Sequence, residues 1–236
     1  MCSSTDPIGI IGAMQVEVDT LISNLQDPHR LDKARTSFFE GHLCGKPVVV
    51  VRSGVGKVNA SSCAQMLIDY FGVSSIINTG IAGALASDLA IGDVVVASDC
   101  VEHDMDVTNL SYPKGQIPDM DVLSFSADPA LAEAIEIAAR KSLAFSHVYR
   151  GRIASGDQFI HTHAQKEAIY QEFRALCCEM EGAAIAHVCY LHKLPFAVVR
   201  TISDTADECS HLDYPSFEKK TAHANAQLVE LVLSSL

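Results

Sequence analysis

The chain has 236 residues, 48% of them hydrophobic and 19% charged, with no tryptophan and a formal net charge of −12. That balance argues against nucleic acid and anionic membranes as partners, because both are bound mainly through clustered Lys and Arg, and it suits a neutral or zwitterionic small ligand. The length allows one large α/β core, and no Pro/Ser-rich linker, charge block or repeat interrupts it, so residues 1–236 are expected to form a single domain.

The amino terminus, Met-Cys-Ser-Ser-Thr-Asp-Pro, has neither a basic region nor an apolar core, so no signal or transit peptide is expected. No run approaches the ~20 apolar residues of a membrane span. The eight cysteines lack C-x-x-C spacing and several lie in apolar runs, which fits reduced core cysteines in a cytoplasmic protein. Adjacent Cys177 and Cys178 have no second pair and no suitably spaced histidine, so neither a metal nor a redox site is expected there.

Ile8-Gly-Ile-Ile-Gly-Ala-Met14 predicts a short strand, a tight turn and then a helix carrying Val16, Val18, Leu21, Ile22 and Leu25. Its Gly9/Gly12 spacing lacks the G-x-G-x-x-G of a dinucleotide site, so no nicotinamide cofactor is expected. Glu17 falls in the first helical turn, either as a solvated acid or as a group facing a ligand at the strand end. Lys46–Ser53 reads as a second strand, and Gly54-Val-Gly-Lys57 turns into a helix with Cys63, Met66, Leu67, Tyr70 and Phe71 at helical spacing. Val58 after the lysine breaks the phosphate-loop pattern.

Val73–Gly80 predicts a third strand, ending in a turn over Thr79-Gly-Ile-Ala-Gly83 whose small residues permit close approach to a ligand. Ile91–Ser98 predicts a fourth. From His103 to Met120 no period holds, which points to a long functional loop or interface arm; His103-x-x-Asp106 is too sparse to make a metal site. Pro129–Phe145 reads as a helix and Gly151–Ile160 as a strand breaking into a Gly-Asp turn. Beyond it, the ring of Phe159 is either core or a platform for a flat base. Pro215–Leu233 predicts the closing helix.

Two stretches carry most of the chemistry. Cys178–Cys189 reads as the start of a largely apolar helix with Glu179 and Glu181 at its beginning, where desolvation demands that each acid be paired, hydrogen-bonded or used. Phe196-Ala-Val-Val-Arg-Thr-Ile-Ser-Asp204 reads as a buried strand delivering polar groups to its carboxyl end, where ligands collect in open α/β sheets. Asp204 there either caps the next helix or serves the ligand.

Gly12-Ala-Met…Glu17, Ser53-Gly-Val-Gly-Lys57, Asn78-Thr-Gly-Ile-Ala-Gly83, Gly92-Asp93, Ser155-Gly-Asp-Gln-Phe-Ile160, Glu179-Met-Glu181 and Arg200-Thr-Ile-Ser-Asp204 together resemble the 5′-methylthioadenosine/S-adenosylhomocysteine nucleosidases of bacteria, over nearly the whole chain. The resemblance implies a three-layer α/β/α sandwich around a central mixed β-sheet, shared with nucleoside phosphorylases, a homodimer, and no cofactor. It implies that Asp204, oriented by Ser203, protonates adenine N7 and that Glu17, with Arg200 close by, activates water. Glu181 would bind the ribose hydroxyls, Met180 pack under the sugar, and Phe159 and Ile160 hold adenine. Ala13, Met14, Val55, Ile81, Ala82, Gly83 and Glu179 would complete the substrate site, and Leu110, Tyr112 and Pro118 would reach the 5′-thio group in the neighbouring subunit's pocket. Many relatives carry serine where this chain has Ile81. Phosphorylases, futalosine hydrolases and a non-catalytic nucleoside-binding protein are the alternatives on the same fold, and the last has no need of three carboxylates.

Overall fold

The computed structural model describes residues 6–205 and 214–236, with side chains in the second segment from Lys219 onward. Strand β1 (Ile8–Gly12) leads into helix α1 (Gln15–Ser23), followed by the antiparallel strands β2 (Gln26–Lys33), β3 (Thr36–Leu43) and β4 (Lys46–Arg52). Helix α2 (Lys57–Phe71), β5 (Ser75–Ala84), β6 (Val94–Glu102), the two-residue β7 (Phe125–Ser126) and α3 (Pro129–Lys141) come next. Strand β8 (Val148–Ser155), α4 (His163–Phe173), β9 (Cys177–Glu179), α5 (Gly182–His192), β10 (Phe196–Asp204) and α6 (Tyr214–Ser235) complete the chain.

The apolar runs make the sheet because each of them is covered on both faces. Along β1, β4 and β5, Ile11, Val49, Val51 and Ile76 pack with Cys63 and Leu67 of α2 and Ile185 and Cys189 of α5. Their alternating neighbours Ile10, Val48, Val50 and Ile77 pack with Leu21 of α1, Ile135 of α3 and Val232 of α6. Strand periodicity of two thus feeds two separate cores, giving the helix–sheet–helix layering of an α/β sandwich.

Among the described residues, ten strands form one mixed sheet in the order β10–β6–β8–β9–β5–β1–β4–β3–β2, with β7 on β6. Strand β10 pairs parallel with β5 as well as antiparallel with β6, so β5, β10, β6, β8 and β9 close into a ring of pairings. The parallel set β4–β1–β5–β10 brings the carboxyl ends of its strands to one side.

Several elements differ from the sequence expectation. Thr79–Gly83 is strand, not turn, because it is paired to β10 as far as Gly83 and to β9 at Gly83 and Ala84. Cys178 and Glu179 belong to β9, and the helix begins only at Gly182. The strand expected to reach Ile160 ends at Ser155. Strands β2 and β3 and helix α4 carry no expectation from the sequence: β2 is mostly exposed and polar, and α4 is marked only by a capping box between Thr162 and Gln165. The arm from His103 is irregular as expected, with one 3₁₀ turn at Thr108–Leu110.

Candidate active site

Strands β1, β5 and β10 open at their carboxyl ends on a cavity whose walls include Glu17, Glu179, Glu181 and Asp204. Each acid arrives from a different local structure.

Glu17 stands at the third position of α1 and turns back on the preceding loop, its Oε2 accepting the backbone N–H groups of Ala13 (2.8 Å) and Met14 (2.9 Å). Its Oε1 accepts the N–H of Ile81 at 3.3 Å. The backbone of residue 81, rather than its side chain, therefore makes this contact, and isoleucine serves it as well as serine. Burial pushes the Glu17 carboxyl above its ordinary value, against the opposing pull of the Met14 N–H and the Arg200 charge. The glycines of β5 make room for the acids: a Cβ on Gly80 would lie 2.7 Å from Glu17 Oε1, and one on Gly83 would lie 3.0 Å from Asp204 Oδ1.

Glu179 is the most heavily bonded of the four. Its Oε1 accepts the Ser155 hydroxyl and the Gly182 N–H, and its Oε2 accepts the N–H groups of Glu181 (3.0 Å) and Gly182 (2.8 Å) and the guanidinium of Arg200 (2.5 Å). Burial raises its carboxyl, but the Arg200 charge and these donors prevail and hold it below the ordinary value. Arg200 itself is 2% exposed and lies behind the cavity wall, bonded also to the side-chain and backbone oxygens of Asn78. It stands behind the residues that line the cavity.

Glu181 stands immediately before α5 and accepts the N–H of Gly56 at 2.7 Å, a contact that Gly56 presents from a φ of 97° that favours glycine. Burial, then the negative charge of Glu179, push its carboxyl up to about 7. Asp204 ends β10, with Ser203 Oγ donating to its Oδ2 at 3.1 Å and Lys166 Nζ to its Oδ1 at 2.9 Å.

Ala13, Met14, Val55, Ile81, Ala82, Gly83, Ile160, Met180 and Ser203 line the same cavity, and Phe159 stands at its rim with 67% of its surface exposed. Such an aromatic face is free to stack on a flat ligand. Leu110, 62% exposed, and Tyr112 and Pro118 lie on the arm and do not line the cavity of their own chain. Gln158 and Cys178 line it without having been singled out from the sequence, and neither was Lys166. For Lys166 the available signal was a lysine on the apolar stripe of α4, in register with Ile169 and Phe173.

A model of the phosphorylase superfamily matches residues 7–236. A 5′-methylthioadenosine/S-adenosylhomocysteine nucleosidase from Shewanella sediminis is 41% identical over 97% of this chain and 99% of its own length. The chain belongs to the phosphorylase superfamily, in its nucleosidase family. A nucleosidase of the same name from Staphylococcus aureus is 39% identical over 97% of this chain and all of its own. Among solved structures, the family member from Neisseria meningitidis in complex with methylthio-immucillin-A superimposes with a TM-score of 0.92 at 36% identity, covering 98% of this chain and 100% of that one. A futalosine hydrolase from Helicobacter pylori gives 0.91 at 33% identity, with 98% and 99% covered. The layered mixed sheet of this chain is thus the family fold, with its cavity at the strand ends.

The raised Glu181 carboxyl sets a pH dependence of stability. A folded-state value above the unfolded one means that the stability it contributes is complete below the unfolded value, 4.5, and is lost as pH rises to about 7. Replacing Glu181 with Gln removes that loss. In thermal melts from about pH 4 to about pH 8, the variant's Tm advantage over the parent should widen with pH and level off above neutrality. A difference that stays constant across the range would contradict the raised carboxyl.

Proposed function

We propose that the cavity hydrolyses the N-glycosidic bond of 5′-methylthioadenosine and S-adenosylhomocysteine, releasing adenine and the thioribose product, with 5′-deoxyadenosine as a further substrate. The observation that carries this reading is the charge of the lining: four carboxylates and, among the described residues, no lysine or arginine. Breaking the bond leaves a ribosyl cation, which carboxylates stabilise, and a basic leaving group, which an acid neutralises.

In this reading Asp204, steadied by Ser203, gives a proton to adenine N7, while Phe159 stacks on the base and the backbone of Ile160 holds its edge. Glu181 accepts the ribose hydroxyls and faces the cation, with Met180 beneath the sugar. Glu17, its carboxyl raised by burial above the ordinary value, takes the proton of the attacking water. Glu179 spends its lone pairs on protein donors and acts by holding the floor of the site.

Phosphorolysis would require cations converging beside the ribose. Arg200 and Lys166 are already paired with Glu179 and Asp204, and Lys57 and Arg52 point elsewhere. Lys57 Nζ is bound by Glu102 (2.8 Å) and Asp104 (2.7 Å), and Arg52 lines a separate cleft with Arg30 and Arg35. Adenine release should therefore run at full rate in phosphate-free buffer, with free 5-methylthioribose as the sugar product. Appearance of a sugar 1-phosphate would overturn the reading. Running futalosine beside the adenosyl substrates separates this activity from that of the H. pylori neighbour.

Asp204→Asn keeps the shape but cannot deliver the proton, and should lower kcat by roughly 10²-fold or more with the fold intact. Near-normal turnover by a folded variant would refute the role of Asp204.

The protein is further proposed to be a single-domain cytoplasmic homodimer in which the arm completes the partner's pocket. Its support is the exposed Leu110, at the end of the 3₁₀ turn, and the neighbouring Tyr112 on an otherwise irregular arm, a surface better suited to an interface than to water. Sedimentation combined with assay on dilution should show activity falling as the dimer dissociates, and a fully active monomer would sink the proposal.

A further inference from the structure

Lys166 sits on α4, whose start is fixed by the Thr162 hydroxyl accepting the Gln165 N–H at 3.3 Å. Only 4% of the lysine is exposed. Burying an ammonium is costly unless it is paired, and here it donates to Asp204 Oδ1 at 2.9 Å and to the Thr205 carbonyl at 2.8 Å. A lysine that served only the packing of α4 would gain nothing from its charge. The groups around it narrow its role. Among the described residues, Asp204 accepts from Lys166 and Ser203 alone, whereas Glu17, Glu179 and Glu181 face the same cavity but are bonded elsewhere. Cys178 of β9 also feels the lysine charge, and burial pushes its thiol well up, so it stays neutral.

We propose that Lys166 is a positioning residue for departure of the base: its cation fixes the Asp204 carboxyl at the end of β10 and stabilises the carboxylate that forms there. The inference rests on the nucleosidase reading of the cavity. Asp204 takes up a proton from solvent before the step; in the step its O–H bond breaks, an N7–H bond forms on adenine, and the electron pair of the O–H bond stays on Asp204 as carboxylate charge. The ammonium at 2.9 Å interacts more strongly with that charge than with the neutral acid, so its effect is greater in the transition state than in the bound substrate. Lys166 loses no proton in the step.

The test compares two leaving groups. Lys166→Met should lower kcat on methylthioadenosine by roughly 10²-fold with little change in KM. The same variant should retain near-parent turnover on a 4-nitrophenyl 5-methylthioriboside, whose nitrophenolate departs without protonation. Lys166→Arg, which keeps the charge, should recover much of the lost rate. A folded Lys166→Met variant that loses both activities equally, or neither, overturns the proposal. If that variant does not fold, the same comparison is made with Lys166→Gln, and loss confined to the adenine substrate again supports the role while any other pattern overturns it. Should the unmodified protein release no adenine at all, the nucleosidase reading itself fails, which is a separate result from either outcome for Lys166.

Discussion

The ion pair between Glu179 and Arg200 ties the site together. Charges this deeply buried are expensive to desolvate and hold only when their remaining lone pairs and protons are satisfied. Here they are satisfied by the elements that build the site. Glu179 ties the end of β9 to Ser155 of β8 and to the first N–H groups of α5, while Arg200 of β10 reaches Asn78 of β5. The Asn78 amide in turn donates to the Ile11 carbonyl of β1 at 2.9 Å. One carboxylate and one guanidinium thus hold five strands and a helix in fixed relation. Removing either partner would leave the other charge buried alone, a loss on the order of 3–5 kcal/mol.

The same pair explains why acids within one cavity behave differently. Glu179 is kept ionised by Arg200, and its fixed negative charge then adds to burial in raising Glu181. Glu17 lies further along the wall, where three backbone N–H groups offset part of its desolvation but do not cancel it. The three glutamates thus differ in their hold on a proton through position alone, with no difference in side-chain chemistry.

Much of this was legible in the chain because the central strands are covered on both faces and so appear as unbroken apolar runs. Such a run ending in Arg200-Thr-Ile-Ser-Asp204 marks the place where polar groups are delivered, and Glu17 follows from its position one turn into a helix. The parts that were not legible had weaker local signals. Strand β9 has three residues and reads as the front of the helix it precedes, which hid the separation between Glu179 in a strand and Glu181 immediately before the helix. The glycines of β5 looked like a turn because flexibility and lack of bulk are written with the same residue; the pairing partners that hold Gly80 and Gly83 extended are distant in sequence. Lys166 was hidden for a similar reason, since its partner Asp204 lies 38 residues away.

Closing β5, β10, β6, β8 and β9 on one another leaves the sheet with an open side at β2. A bare edge offers unpaired backbone groups to any passing strand, including that of another copy. Strand β2 is a poor template for such growth. Asp27 breaks the extended conformation with a φ of 52°, Pro28 cannot donate to a ladder, and His29, Arg30, Asp32 and Lys33 surround the rest with charge or polarity. The register with β3 slips over the same residues, between Gln26 and His29. A core this rich in valine and isoleucine would carry a high risk of fibrous association if its sheet ended in one of its own apolar strands, and the meander that ends in β2 confines that risk to the unfolded chain.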